Sequence, residues 1–204
     1  MNVANTTIGA SGLTFRSILA GTAITGPVDG IVLNTTGGSG GLSVTGDVGG
    51  SNNGSSGTIQ RTIAVGISLN STRNVSLGYM NIQNSADAGI QGFSVNNFAL
   101  NRSNVTSSGN STSDEAIQFG LFSGATEGVT GTVSIVNSNG SSNAHNNVHI
   151  RNASGTISSF TVSGSSFNDL NDVTGANAYL FEMSGTAVTT VASMTGNIFN
   201  NNSP

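Results

Sequence analysis

The sequence predicts an all-β fold of the β-solenoid kind, and three observations carry that prediction. The first is an internal repeat. Gly66 to Ser85 reads Gly-Ile-Ser-Leu-Asn-Ser-Thr-Arg-Asn-Val-Ser-Leu-Gly-Tyr-Met-Asn-Ile-Gln-Asn-Ser, and from Gly89 the chain says nearly the same again. Ile67, Val75, Leu77 and Ile82 map onto Ile90, Phe98, Leu100 and Val105 at a constant offset of 23. A fixed offset of that size marks a stack of structural repeats. The second is a five-residue ruler: Leu77 to Ile82, Leu100 to Val105, Val162 to Phe167 and Met194 to Phe199. Side chains an odd number apart on one strand face opposite ways, so two inward residues at that spacing need a backbone corner between them. Three short strands per coil follow, led by Ile67, by Val75 and by a residue near Ile82. The third is composition. Only 7% of residues are charged and two are Pro, while Val, Ile and Thr recur in alternation; a disordered chain shows the reverse.

Taken in order, residues 1–29 read as an incomplete first coil, with Leu13 and Phe15 on one face of a strand, then Ile18 and a bend at Gly21 and Gly26. A strand at Ile31-Val32-Leu33 and another at Leu42-Ser43-Val44 follow. Residues 47–58 are too polar to bury and predict a loop expelled from the stack. The tight coils at Gly66 and Gly89 come next. Later coils keep the skeleton: Ala116–Phe119 with Val133–Ile135, Asn147–Ile150 with Phe160–Val162, and Ala178–Phe181 with Ser193-Met194. The leading apolar positions are Ile31, Ile67, Ile90, Ile117, Val148 and Tyr179, spaced 36, 23, 27, 31 and 31. Loops absorb the difference while strands keep register. One coil has too few apolar side chains to fold alone. Stacking at about 4.8 Å puts like on like, and each buried aliphatic then contributes about 1.5–3 kcal/mol. Asn70, Asn84, Gly92 and Asn97 are expected at corners that need left-handed backbone. The chain is read as one domain, 1–204, of about seven coils, a rod on the order of 30–35 Å long. An antiparallel sandwich explains neither the offset nor the ruler.

The run Gly-Ile-x-Leu at Gly66, Asn-Val-Ser-Leu at Asn74 and Met-x-Ile-x-Asn-Ser at Met80 resembles the parallel β-helix repeats of the pectin-lyase-like superfold. It is most similar to those of large bacterial β-strand-repeat and autotransporter-like surface proteins. The resemblance covers residues 30–200 and implies a right-handed single-stranded parallel β-helix with three sheets. It implies an extracellular or bacterial cell-surface setting.

Charge narrows the function. The chain has no Lys, its five Arg are scattered, and the net charge is −4. No basic stripe can be assembled to neutralise phosphates, so nucleic acid is not an expected partner. Cys is absent, which removes disulfides and thiolate metal sites. No apolar run approaches the roughly 20 residues of a membrane helix, so no membrane insertion is expected. The start, Met1 to Thr7, lacks the regions of a signal peptide, and repeat-like sequence follows at once, which suggests an excised segment of something longer.

Candidate chemistry is thin. Asp114-Glu115 is the one adjacent acidic pair and is expected in a solvated turn, although paired carboxylates could serve acid–base work or Ca²⁺. Asp169 and Asp172 have a calcium-loop spacing without the Gly and Glu of an EF-hand. His145 and His149 would share a face only on a helix. Asn147-Val148-His149-Ile150 alternates like a strand, so both are expected as surface histidines. Arg73, Arg102 and Arg151 form no evident ladder, and Asn-x-Ser/Thr triplets at Asn70, Asn104 and Asn152 follow from composition. No catalytic, cofactor-binding or metal residue is assigned, and no cofactor is expected.

Three functions remain. The leading one is a structural or adhesive segment of an exported bacterial surface protein, partnering with itself or with adjacent repeats through uncapped ends. The alternative is a carbohydrate-active enzyme or glycan-binding module, with loops 47–58 and 120–131 walling a groove. The third is a flat, ice-binding type of surface built on Thr14, Ser43, Ser68, Ser76 and Ser134, whose rows look irregular in sequence.

Overall fold

A computed structural model describes residues 1–120, 127–168 and 176–200. Alternating apolar residues and small polar corners give strands throughout. These are β1 (Asn2–Ala4), β2 (Leu13–Phe15), β3 (Ile31–Asn34), β4 (Leu42–Val44), β5 (Thr58–Gln60), β6 (Ile67–Gly78), β7 (Asn81–Gln83), β8 (Ile90–Asn101), β9 (Asn104–Thr106) and β10 (Ile117–Phe119). They continue as β11 (Val129–Val136), β12 (Asn139–Ser141), β13 (Val148–Asn152), β14 (Thr156–Ser163), β15 (Ser166–Asn168), β16 (Tyr179–Met183), β17 (Val188–Thr189), β18 (Ala192–Thr195) and β19 (Ile198–Asn200). The described residues contain no helix, and so none long and apolar enough to cross a membrane.

All pairings between these strands are parallel. One path runs β1-β3-β6-β8-β10-β13-β16, and a second sheet runs β19-β15-β12-β9-β7-β5. The chain therefore returns to the same sheet after each excursion and stacks on itself, as in a solenoid. The leading apolar positions meet in register: Ile31 on Ile67, Ile67 on Ile90, Ile90 on Ile117, Ile117 on Val148 and Val148 on Tyr179. The five-residue ruler also holds. Leu77 is the last apolar residue of β6 and Ile82 sits in β7, both fully buried on either side of a corner.

Left-handed residues fall in columns at the corners. One column is Gly46, Tyr79, Arg102, Asn137, Gly164 and Gly196; another is Arg61, Asn84, Ser107 and Ser142. Of the four corner positions expected to be left-handed, Asn84 and Asn97 are, at φ 55° and 65°. Asn70 is not, because Ser71 makes that bend at φ 47°. Gly92 is not either: a Cβ there would strike the Phe119 ring, so its role is room.

Three further expectations change. Ile67–Gly78 and Ile90–Asn101 run as single strands of 12 residues where two short ones were expected, bending at Ser71, Asn74, Ser94 and Asn97 without losing the ladder. The loop read over 47–58 ends earlier, since Ser56 is buried and Thr58 begins β5, whose Ile59 fills the column above Ile82. The loop read over 120–131 also ends earlier. Its residues 121–126 lie outside the described ones, Gly128 and Val129 are pinned by the Asn152 side chain, and β11 starts at Val129.

Candidate functional site: a buried carboxylate and histidine cluster

The corner leading from the six-stranded sheet back to β8, β10 and β13 gathers much of the charge in this sparsely charged chain. Asp87 and Asp114 occupy equivalent places on successive rungs, since the backbone pairs Ile90 with Ile117. Asp114 acts on Asp87 from the neighbouring rung. One Asp114 oxygen accepts the backbone N–H groups of Asn110 and Ser111 at 3.0 and 2.9 Å. Burial first, then the hydrogen bond to Asp114 and its charge, raise the Asp87 carboxyl above its ordinary range.

Next to this pair Glu115 is fully buried. Its Oε1 faces His145 Nδ1 at 3.2 Å and His149 Nδ1 at 3.0 Å, and accepts Asn146 Nδ2–H at 2.9 Å. Its Oε2 has no hydrogen-bond partner among the described residues. The other ring nitrogen of His149, Nε2, faces Glu182 Oε2 at 2.9 Å, and Arg151 Nε lies 3.8 Å from the same oxygen. Burial is the largest single influence on His149 and pushes its pKa down. The hydrogen bonds and charges of Glu115 and Glu182 together outweigh it, so the pKa stands above its ordinary value. A continuous line of carboxylate, imidazole and carboxylate thus runs from a buried residue to Glu182, which is 44% exposed. That line can hold a proton and pass it along.

Two sequence expectations are overturned here. Asp114 and Glu115 do not sit in a solvated turn: they are 8% and 0% exposed, Asp114 taking N–H donors from Asn110 and Ser111 and Glu115 being held by His145, Asn146 and His149 from the next rung. His149 is not a surface residue at 1% exposed. It does alternate away from the core, on the row Ser68, Gln91, Gln118, His149, but Glu115 and Glu182 cover it from either side. Strand alternation reads direction; it does not read what a loop lays on top. The alignment of His149 with Gln91 and Gln118 was the available signal, because a polar row needs polar partners. Asp169 and Asp172 lie outside the described residues. Among those described, no group of three or more His, Cys, Asp or Glu is arranged to hold a metal ion.

The three arginines have separate tasks. Arg73 donates to Gly38 O and to Asn96 Oδ1, Arg102 donates to Gly50 O, and Arg151 pairs with Glu182. A shallow cleft of about 390 Å³ opens beside the acidic corner, lined by Ser107, Asn110, Ser111, Thr112 and Ser142. The outward small residues are more regular than the sequence suggested. Thr14, Ser43, Ser76, Ala99, Ser134, Thr161 and Ser193 form one row, and only Ser68 belongs elsewhere.

No protein-family model matches this chain, and no curated protein or solved structure is similar enough to count as a match.

Proposed function

We propose that this chain is a right-handed parallel β-helix of about seven coils with up to three strands each, serving as a structural or adhesive segment of an exported bacterial surface protein. Its work is reach, display and contact, and it extends by stacking a further coil, from a second copy or from its parent chain. One observation carries this reading. Phe167 and Val162 are 1% and 0% exposed, whereas Phe199 and Met194, their partners one rung on, are 46% and 45% exposed. Phe199 stacks on Phe167 with ring centroids 5.9 Å apart and offers its other face to a next layer. An apolar column and open strand edges at the last described rung are what a further parallel coil covers. Light scattering across a concentration series should show association that weakens in a Phe199→Asp, Met194→Glu variant. A monomer at every concentration, unaltered in the variant, would sink the assembly reading.

The cleft beside Asp114 supports a second reading, a glycan-binding or glycan-cleaving module, because hydroxyl and amide side chains line it next to carboxyl groups. Binding or turnover measured on neutral and acidic glycans, lost in Asp114→Asn, tests it. No signal on either class removes it.

A further inference from the structure

Both nitrogens of the His149 ring face a carboxylate oxygen, Nδ1 toward Glu115 at 3.0 Å and Nε2 toward Glu182 at 2.9 Å. A neutral imidazole has one N–H, so one of these contacts would set a lone pair against a carboxylate oxygen. Only the imidazolium donates to both. The three residues belong to three successive rungs: Glu115 precedes β10, His149 lies in β13 and Glu182 in β16.

We propose that Glu115, His149 and Glu182 form a proton-operated clamp that holds the β16 rung onto β13 in mild acid and releases its grip when His149 loses its proton. The side of release follows from burial. Glu115 is fully buried and is held by Asn146 Nδ2–H at 2.9 Å, so it cannot turn to water. Glu182 is 44% exposed and can. On deprotonation Nδ1 keeps the hydrogen facing Glu115, and the bare Nε2 repels Glu182. Solvent takes Glu182 back, and Arg151 at 3.8 Å is left as its described ionic partner. The described groups around His149 are Glu115 and the neutral Gln118 from the β10 side, Arg151 on β13 itself and Glu182 on β16. His145 and Asn146 reach the same Glu115 oxygen, and Asp114 stands behind it, held by Asn110 and Ser111. The raised pKa of His149 agrees with this geometry.

The test is hydrogen exchange of the whole chain, followed by mass spectrometry at about pH 5.5 and about pH 8 and corrected for intrinsic exchange. Peptides from residues 176–200 should lose protection several-fold at the higher pH, while peptides from 67–106 should not. Glu182→Gln should abolish that difference, because an amide can face either protonation state of Nε2 with its N–H or its C=O. His149→Gln should abolish it too, since Gln91 and Gln118 already fill equivalent positions on this row, where Gln91 Nε2 donates to Gln118 Oε1 at 2.8 Å. Nitrogen NMR of the histidine rings gives a readout in the unaltered chain: both His149 nitrogens should be protonated in mild acid, and Nε2 should lose its hydrogen as the pH rises. A His149 ring that is neutral throughout, or an equal loss of protection in Glu182→Gln, would overturn the clamp.

Discussion

Phe119 lies over Gly92 in the column that Leu33 and Leu69 occupy on earlier rungs, and it meets Phe98 edge-on with ring centroids 4.9 Å apart. The ring fits only because the rung beneath has no side chain at that point. Gly92→Ala keeps an allowed backbone but forces Phe119, which is fully buried, off its place. Overpacking of this kind costs about 1–3 kcal/mol. The urea midpoint of Gly92→Ala should fall accordingly, and a Gly92→Ala, Phe119→Leu variant should recover part of the loss. An unchanged midpoint in the single variant would mean that Gly92 is not making room. In sequence this glycine cannot be told from a turn glycine, since both appear as Gly between apolar residues; only the neighbour one rung away distinguishes them.

The same give and take runs between whole elements. Where the first strand of a rung is entered, Gly66 leaves room for Ile82, whose Cγ2 would lie 2.9 Å from an added Cβ, and Gly30 and Gly89 do the same for Ile59 and Val105. Between β12 and β13, which opens the next rung, the sizes are exchanged. Gly140 holds the inward place of β12, and Asn147 holds the glycine's place and fills the gap, 2.6 Å from a Cβ built on Gly140. Gly140→Val alone should destabilise strongly, whereas Gly140→Val with Asn147→Gly restores the pattern of the other rungs and should recover most of the loss. A double variant no better than the single one would refute the exchange. A chain of serine hydroxyls fixes the neighbouring corner: Ser103 Oγ accepts the N–H of Met80, Ser138 Oγ that of Ser103, and Ser165 Oγ that of Ser138. Ser138→Ala would leave a buried N–H unpaired, and a loss of about 1–3 kcal/mol in chemical unfolding is the expected result. The ruler from Leu77 to Ile82 made these corners legible, because apolar residues five apart cannot share a strand face. The serine chain was not legible, because its partners lie 23, 35 and 27 residues away; the exchange at Gly140 and Asn147 was not legible either, because it shows only once successive rungs are stacked. Glu115 was missed because the groups that hold it, His145, Asn146 and His149, lie 30, 31 and 34 residues away.

Across the whole molecule the shifted groups decide how stability follows pH. His149 binds its proton more tightly when folded, so its contribution is fully present below its unfolded pKa of about 6.5 and is lost as pH rises through the higher folded value. Asp87 has the same sign, with a window that opens above about 3.8 and ends at its raised folded pKa. Asp47 has the opposite sign. Hydrogen bonds from Asn53, Ser55 and the Gly49 N–H lower its pKa, so its contribution is lost as pH falls. It sits in an exposed loop, where solvent screens what it adds. The buried His149 and the half-buried Asp87 dominate, and the melting temperature should be highest in mild acid, near about pH 5, and decline toward about pH 8. The decline should divide by residue. Asp87→Asn keeps an oxygen for the Ala88 N–H and removes the repulsion with Asp114, so it should raise the melting temperature at about pH 7 and flatten the lower part of the curve. Glu182→Gln should flatten the upper part. A melting temperature that climbs steadily from about pH 4.5 to about pH 8 would mean that proton release, not proton capture, accompanies folding, and the acidic corner would then have to be ionised throughout.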